Sequence, residues 1–352
     1  MILASSSSII GFYFRVVLFV AFSAFFALPA NSQILEPQTL AKIKERGHLI
    51  CGASQPLFGF AQKNSEGLWS GFDVDFCRAL SSAIFGNPDK VEFKPYNGLA
   101  RFAPLQLGDV DVFVRNAYWN LRRDSVYNVS YVGTSFFDGQ AFLAKKDLGV
   151  VSSFELKDVL VCVIGDSDEQ DNLAEFFFKN QSETKEIIYE NYADMALAYN
   201  SNLCDVISAP VSQLYSIMSS LKDPASHQIL PERISKQPLG PVVRTGDDEW
   251  FNIVRWVLFT LLNAEELGVN SLSVASMKDT KNPKIRRLLS LDENFGKAIG
   301  LEKNWAKNII ANVGNYREIY EKSFGPQTGV ALPRGSNALW INGGLLFAPP
   351  IR

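Results

Sequence analysis

Histidine is nearly absent: His48 and His227 are the only two among 352 residues, and no two of the four cysteines form a CxxC pair. A zinc site draws its ligands from closely spaced Cys and His, so none is expected here. Basic charge is not in excess either, with 34 Lys and Arg against 37 Asp and Glu. The basic face that a nucleic-acid binder needs is therefore missing. No apolar run reaches the roughly 20 residues of a membrane-spanning helix. The stretch Phe251 to Leu262 is broken by Asn252 and Arg255, and the run Val16 to Leu28 spans only 13 positions. No short-period repeat or low-complexity tract occurs, and neither a histidine base nor a nucleophile elbow is in place for hydrolytic chemistry.

The short apolar run has a different meaning. Arg15 precedes it and the small residues Ala30 and Ser32 follow it, the layout of a secretory signal peptide over residues 1–32, cleaved near Ala30 or Ser32. Its loss would leave a soluble exported chain with 33 basic side chains against 37 acidic ones, a net charge of −4. About 320 residues exceed what one hydrophobic core usually organises, so two lobes are expected, and 47% hydrophobic residues supply both cores. An oxidising compartment favours disulfides among Cys51, Cys77, Cys162 and Cys204. Four cysteines allow three pairings, which spacing alone does not decide.

From Gln38 the chain alternates short apolar runs with helical periods. His48 to Gly52, Val91 to Phe93 and Val110 to Val114 read as strands, and Asp73 to Phe85 and Ala100 to Leu107 as helices. The rhythm restarts after Lys145: strands at Val159 to Ile164, Ile187 to Tyr189 and Cys204 to Ser208, helices at Asn172 to Phe178 and Ala193 to Tyr199. A helix follows over Trp250 to Leu262, and shorter ones at Asn304 to Ile310 and Tyr316 to Ser323. Such alternation predicts an α/β fold with largely parallel sheets covered on both faces. Crossings between lobes are placed near 140–146 and 237–245, and two crossings permit a hinge.

The densest group of polar residues runs from Gly108 to Asp124. It lies at the carboxyl end of a strand, where open α/β sheets bind ligands. Arg123 within it can hold a carboxylate through two parallel hydrogen bonds.

The stretches Trp69-Ser-Gly-Phe-Asp-Val-Asp-Phe-Cys-Arg78, Asp109-Val-Asp-Val112 followed by Arg115-Asn116, Trp119 and Arg123-Asp124, Pro238-Leu-Gly-Pro241, Val313-Gly-Asn-Tyr316 and Ala348-Pro-Pro-Ile-Arg352 resemble the general L-amino-acid-binding receptors of polar amino-acid ABC transporters, the family 3 solute-binding proteins. The matched segments cover nearly the whole chain after the leader. The resemblance implies a periplasmic-binding-protein fold of two Rossmann-like lobes joined by a two-strand hinge: residues 33–142 and 243–352 as lobe 1 with a C-terminal extension, 143–242 as lobe 2. It implies a monomeric periplasmic protein that captures an amino acid without a cofactor and passes it to an inner-membrane permease. One disulfide is expected inside each lobe, Cys51–Cys77 and Cys162–Cys204, because a bridge across lobes would lock the hinge.

By the same resemblance Arg123, twelve residues after Asp111, grips the ligand carboxylate, and Asn116, Ala117 and Tyr118 stand where small polar residues bond the ligand. Tyr118 departs from the usual serine or threonine. Trp119 is expected in packing, and Phe58, with Leu57, Phe60 and the Asn97-Gly98 turn, in the pocket wall. Two departures concern lobe 2. Ile164-Gly-Asp-Ser-Asp-Glu169 replaces a glutamine-serine-glycine-threonine-threonine turn, which puts Ser167, Asp168 and Glu169 at a helix start that would otherwise receive an anion. Pro210 stands where an aspartate holds the ligand ammonium. A dehydratase using Asp168 or Glu169 as general acid, and a receptor that has lost its ligand, are the alternatives.

Overall fold

The computed structural model describes residues 39–54, 57–96 and 102–352. The expected signal peptide and the Asn97-Gly98 turn lie outside them. In chain order the strands are β1 (Leu49–Ser54), β2 (Gln62–Lys63), β3 (Trp69–Ser70), β4 (Val91–Tyr96), β5 (Val112–Phe113), β6 (Val129–Tyr131), β7 (Phe136–Asp138), β8 (Gln140–Lys145), β9 (Leu160–Ile164), β10 (Lys185–Tyr189), β11 (Val206–Pro210), β12 (His227–Ile229), β13 (Gln237–Leu239) and β14 (Val242–Arg244). They form two five-stranded sheets, β4-β1-β5-β14-β6 and β10-β9-β11-β8-β12. In the first, β4 and β5 run parallel to β1 on either side of it. In the second, β10 and β11 flank β9 in the same way. Nearly every residue of β1 and all of β11 are buried, as expected of strands with helices packed over both faces.

The two sheets are joined by a separate antiparallel pair, β7 with β13, in the register Phe136↔Leu239, Phe137↔Pro238 and Asp138↔Gln237. The expected crossings lie near this pair, but the boundary at 142 falls inside β8, which belongs to the second sheet. Its segment Gln140 to Ala144 is buried throughout and pairs with β11 along its length, so the chain has already changed sheets at Gly139. Likewise β14 pairs within the first sheet. Gly240 serves this junction by having no side chain, since an added Cβ would collide with the Gly133 carbonyl.

Each lobe carries one disulfide, Cys51–Cys77 and Cys162–Cys204, and no described cysteine is free. Both tie a central strand, β1 or β9, to its own lobe, as expected for a hinge that must stay free. Among the described residues no helix is long and apolar enough to cross a membrane, and no cluster of His, Cys, Asp and Glu could hold a metal ion.

The C-terminal helices Trp305–Val313 and Tyr316–Phe324 pack on Phe72–Phe85 and Asp248–Glu266. They also brace the hinge. Phe136 meets Phe60, Phe324 and Phe72 at ring separations of 5.1, 5.3 and 5.7 Å, and Tyr316 donates its hydroxyl proton to the Ser135 carbonyl at 2.8 Å. The Asn337 amide accepts from the Phe137 N–H at 2.6 Å and donates to its carbonyl at 2.9 Å. A side-chain amide thus imitates a neighbouring strand and satisfies both backbone groups of Phe137.

Candidate functional site

Lobe 1 delivers its part of the site from the carboxyl end of β5. The loop after it is pinned at both ends of its first turn. Asn116 takes a left-handed conformation at φ 55°, which asparagine tolerates better than most residues, and donates its N–H to the Asp73 carboxylate at 2.8 Å. The Ala117 carbonyl accepts from Gly240 at 3.2 Å, Tyr118 bridges Leu239, and the Trp119 N–H donates to the Pro238 carbonyl at 2.8 Å. The loop therefore lies along hinge strand β13. A short helix, Leu121–Val126, follows, capped by Asn120, whose side chain accepts from the Arg123 N–H at 2.9 Å.

This places Arg123 over the Tyr118 ring at 4.0 Å, with its Nη1 donating to the Tyr118 carbonyl at 3.1 Å. A guanidinium stacks favourably on an aromatic face. Burial and the Asp168 carboxylate push the Tyr118 phenol well above its ordinary value. The Tyr131 hydroxyl donates to the same Tyr118 carbonyl at 2.9 Å, and its ring stacks on Trp119 at 5.6 Å. Trp119, expected in packing, stacks on Tyr131 but is 39% exposed and is not part of the buried core.

Lobe 2 answers from the end of β9. Ser167 caps the helix Asp168–Lys179, accepting from Gln170 and donating its hydroxyl to the Ile164 carbonyl at 2.6 Å. Asp168 and Glu169 are first-turn residues of this helix, and the two carboxylates diverge, as consecutive helical positions turn by about 100°. Asp168 reaches across to lobe 1 and accepts from Arg123 Nη2 at 2.9 Å.

Glu169 turns the other way. Its carboxyl accepts from the Tyr192 hydroxyl at 2.5 Å, and its second oxygen is buried without a hydrogen-bond partner among the described residues. Burial first, then the nearby charges of Asp138 and Asp168, push this carboxyl up to about 8, against the pull of the Tyr192 hydrogen bond. Beneath it, Gln140 donates to the Glu169 carbonyl and to Ser208 Oγ, both at 2.8 Å, and accepts from Asn172 at 3.0 Å. Asp138, the last residue of β7, accepts from the Ser212 hydroxyl at 2.5 Å and from the Gly139 N–H at 2.8 Å.

Of the sequence-predicted residues, Arg123, Tyr118 and Asp168 are in mutual contact and Ser167 adjoins them. Asn116 and Ala117 shape the loop through their backbones, and the Ala117 side chain is buried in the lobe 1 core. Phe58 is half-buried against the main core. Pro210 is buried at the end of β11 opposite Gln140. Tyr192 and Asp138 were not anticipated, since each enters from a distant segment that carries no motif of its own.

Asp73 gives the first testable consequence. Burial pushes its carboxyl up from 3.8 to about 7, only partly offset by the Asn116 N–H. The folded chain then holds a proton that the unfolded chain has released, so stability falls as pH climbs from about 4 to about 7, by about 4 kcal/mol for this group alone. Asp73→Asn keeps the hydrogen-bond acceptor and should remove much of that slope in urea melts across the window. An unchanged slope would place the proton elsewhere.

The Arg123 guanidinium of one lobe thus meets the Asp168 carboxylate of the other, beside a two-stranded hinge, in a two-lobed α/β fold. Comparison with known proteins agrees. Residues 49–269 match the bacterial extracellular solute-binding proteins, family 3, and the chain belongs to that family. It is 43% identical over 327 residues to the general L-amino acid-binding periplasmic protein AapJ of Rhizobium johnstonii, covering 92% of this chain and 96% of that one. It is 41% identical over 335 residues to the glutamate/glutamine/aspartate/asparagine-binding protein BztA of Rhodobacter capsulatus, covering 94% and 99%. A solved periplasmic binding protein from Brucella ovis with glutathione bound superposes with a TM-score of 0.85 at 42% identity, covering 89% of this chain and 99% of that one.

Proposed function

We propose that this chain is the exported substrate-binding component of an ABC importer, capturing an amino acid between its lobes and delivering it to an inner-membrane permease. The observation that carries the reading is the contact of Arg123 with Asp168 at 2.9 Å across the cleft. A carboxylate already sits on the arginine, in the place a ligand carboxylate would take. When a zwitterion enters, its carboxylate replaces Asp168 on Arg123 and its ammonium turns to the displaced Asp168, so one ion pair becomes two. Tyr118 holds the guanidinium flat, Asn116 and Ala117 fix the loop, Ser167 fixes the helix start, and Phe58 and Pro210 complete the wall. The lobes divide at β7 and β13. The protein works as a periplasmic monomer after removal of its leader, and it needs no cofactor.

The names of AapJ and BztA support an amino-acid ligand, and the glutathione in the Brucella ovis relative supports one that carries an amino-acid moiety. The enzymatic alternative would use the protonated Glu169 carboxyl as general acid. A thermal-shift screen of the mature protein against the standard amino acids and cyclic prephenate-like acids separates the two. Saturable stabilisation by an unaltered amino acid is expected, amounting to about 2.7 kcal/mol at a hundredfold excess over Kd. Turnover of a cyclic acid, or no shift with any amino acid, would contradict the reading.

A further inference from the structure

We propose that the C-terminal extension docks the protein on the surface of an anionic phospholipid bilayer, through an apolar tip at Trp340, Ile341, Leu345 and Phe347 set beside a basic groove. The division of charge along the chain points there first. The family match ends at residue 269. Residues 33–269 carry 21 Lys and Arg against 31 Asp and Glu, whereas residues 270–352 carry 12 against 6. A basic segment attached to an acidic body marks a surface for an anionic partner.

The apolar tip selects lipid as that partner, and it is a built feature. Leu339 and Leu346 are buried and bridge each other, the Trp340 N–H donates to the Leu346 carbonyl at 2.9 Å, and the Gly344 N–H donates to the Leu339 carbonyl at 3.1 Å. A Cβ at Gly344 would collide with the Ala338 carbonyl, so the turn closes only around a glycine. This closed turn holds Trp340, Ile341, Leu345 and Phe347 outward, each more than half exposed. Four large apolar groups kept in water on one hydrogen-bonded turn form a contact surface. Trp340 and Phe347 meet edge to face at 6.1 Å and line a groove of about 200 Å³ together with Lys284, Arg287 and Arg352. Glu266 in the same groove accepts from the Trp340 indole N–H at 3.1 Å. Arg287 donates its Nε proton to the Ile351 carbonyl at 3.0 Å, while Lys284 and Arg352 stay exposed. Tryptophan and aliphatic side chains enter the headgroup region of a bilayer, and Lys and Arg beside them meet the lipid phosphates. The acidic remainder of the chain is repelled by the same surface, so the protein settles with its extension toward the lipid.

Co-sedimentation of the mature protein with vesicles of phosphatidylglycerol, and with vesicles of phosphatidylcholine, tests this without any amino acid present. At low salt the protein should partition at least about tenfold more strongly onto the anionic vesicles, a preference that falls as salt is added. Trp340→Ser with Phe347→Ser should weaken binding to phosphatidylglycerol by at least about tenfold. Lys284→Glu with Arg352→Glu should bring the ratio between the two lipids to near one. Neither pair touches Arg123 or Asp168, and melting curves report whether the variants fold. No binding to phosphatidylglycerol vesicles, equal binding to both lipids in the wild-type protein, or a preference that survives in both folded variants would overturn the proposal. So would self-association in sedimentation velocity that Trp340→Ser with Phe347→Ser abolishes, in the absence of vesicle binding, because the tip would then belong to a second copy of the chain.

Discussion

Arg123→Ala is expected to abolish amino-acid binding while leaving the protein folded. Removing one member of a desolvated, hydrogen-bonded charge pair costs about 2–5 kcal/mol, a loss of roughly 30-fold to several-thousand-fold in affinity. The fold should tolerate the change, because the helix Leu121–Val126 contributes no buried residue. Asp168, the partner left behind, is 44% exposed and can return to water. Arg123→Lys should recover little, since an ammonium neither stacks flat on Tyr118 nor presents a planar fork to a carboxylate. Calorimetry alongside a thermal melt separates lost binding from lost fold. Full affinity in Arg123→Ala would remove Arg123 from the site.

The disulfides carry the second large effect, on stability and not on recognition. The loops they close span 26 and 42 residues of sequence, for which loop-closure entropy gives about 3.5 and about 4 kcal/mol respectively. Cys162→Ala with Cys204→Ala should therefore lower stability by about 4 kcal/mol in denaturant melts. Below the melting transition the same variant should bind its ligand with unchanged affinity, because neither bridge joins the lobes or touches Arg123, Asp168 or Glu169. A stability loss under about 1 kcal/mol would show that the closed loop is already restricted in the unfolded chain. Altered affinity with intact stability would mean that the bridge positions the cleft.

The two-lobed alternation was legible because the central strands of both sheets are largely buried, and burial writes itself as short apolar runs such as Leu160-Val-Cys-Val-Ile164. Helices were found with their ends displaced by a few residues. The helix read from Asn172 begins at Asp168, since its first turn is acidic and shows no apolar period. Strands β6, β7 and β12 to β14 have three residues each, too few for any period. Strand β8 opens with Gln140, a polar residue whose burial depends on Glu169 and Asn172 from one helix and Ser208 from strand β11. Arg123 and Asp168 were legible as charged residues at the ends of strands. The different fates of Asp168 and Glu169 were not, because nothing in their spacing tells which meets an arginine from the other lobe and which meets Tyr192. The Asn337 clamp on Phe137 was equally hidden, since one asparagine among loop residues has no signature.

The most direct test of ligand capture is a crystal structure of the mature protein with the amino acid that gives the largest thermal shift. The ligand should lie between the lobes with its carboxylate on the Arg123 guanidinium, Asp168 displaced from that contact and turned to the ligand ammonium. A ligand found elsewhere, with Arg123 and Asp168 still paired at about the 2.9 Å of this structure, would contradict the exchange of carboxylates on which the proposed function depends.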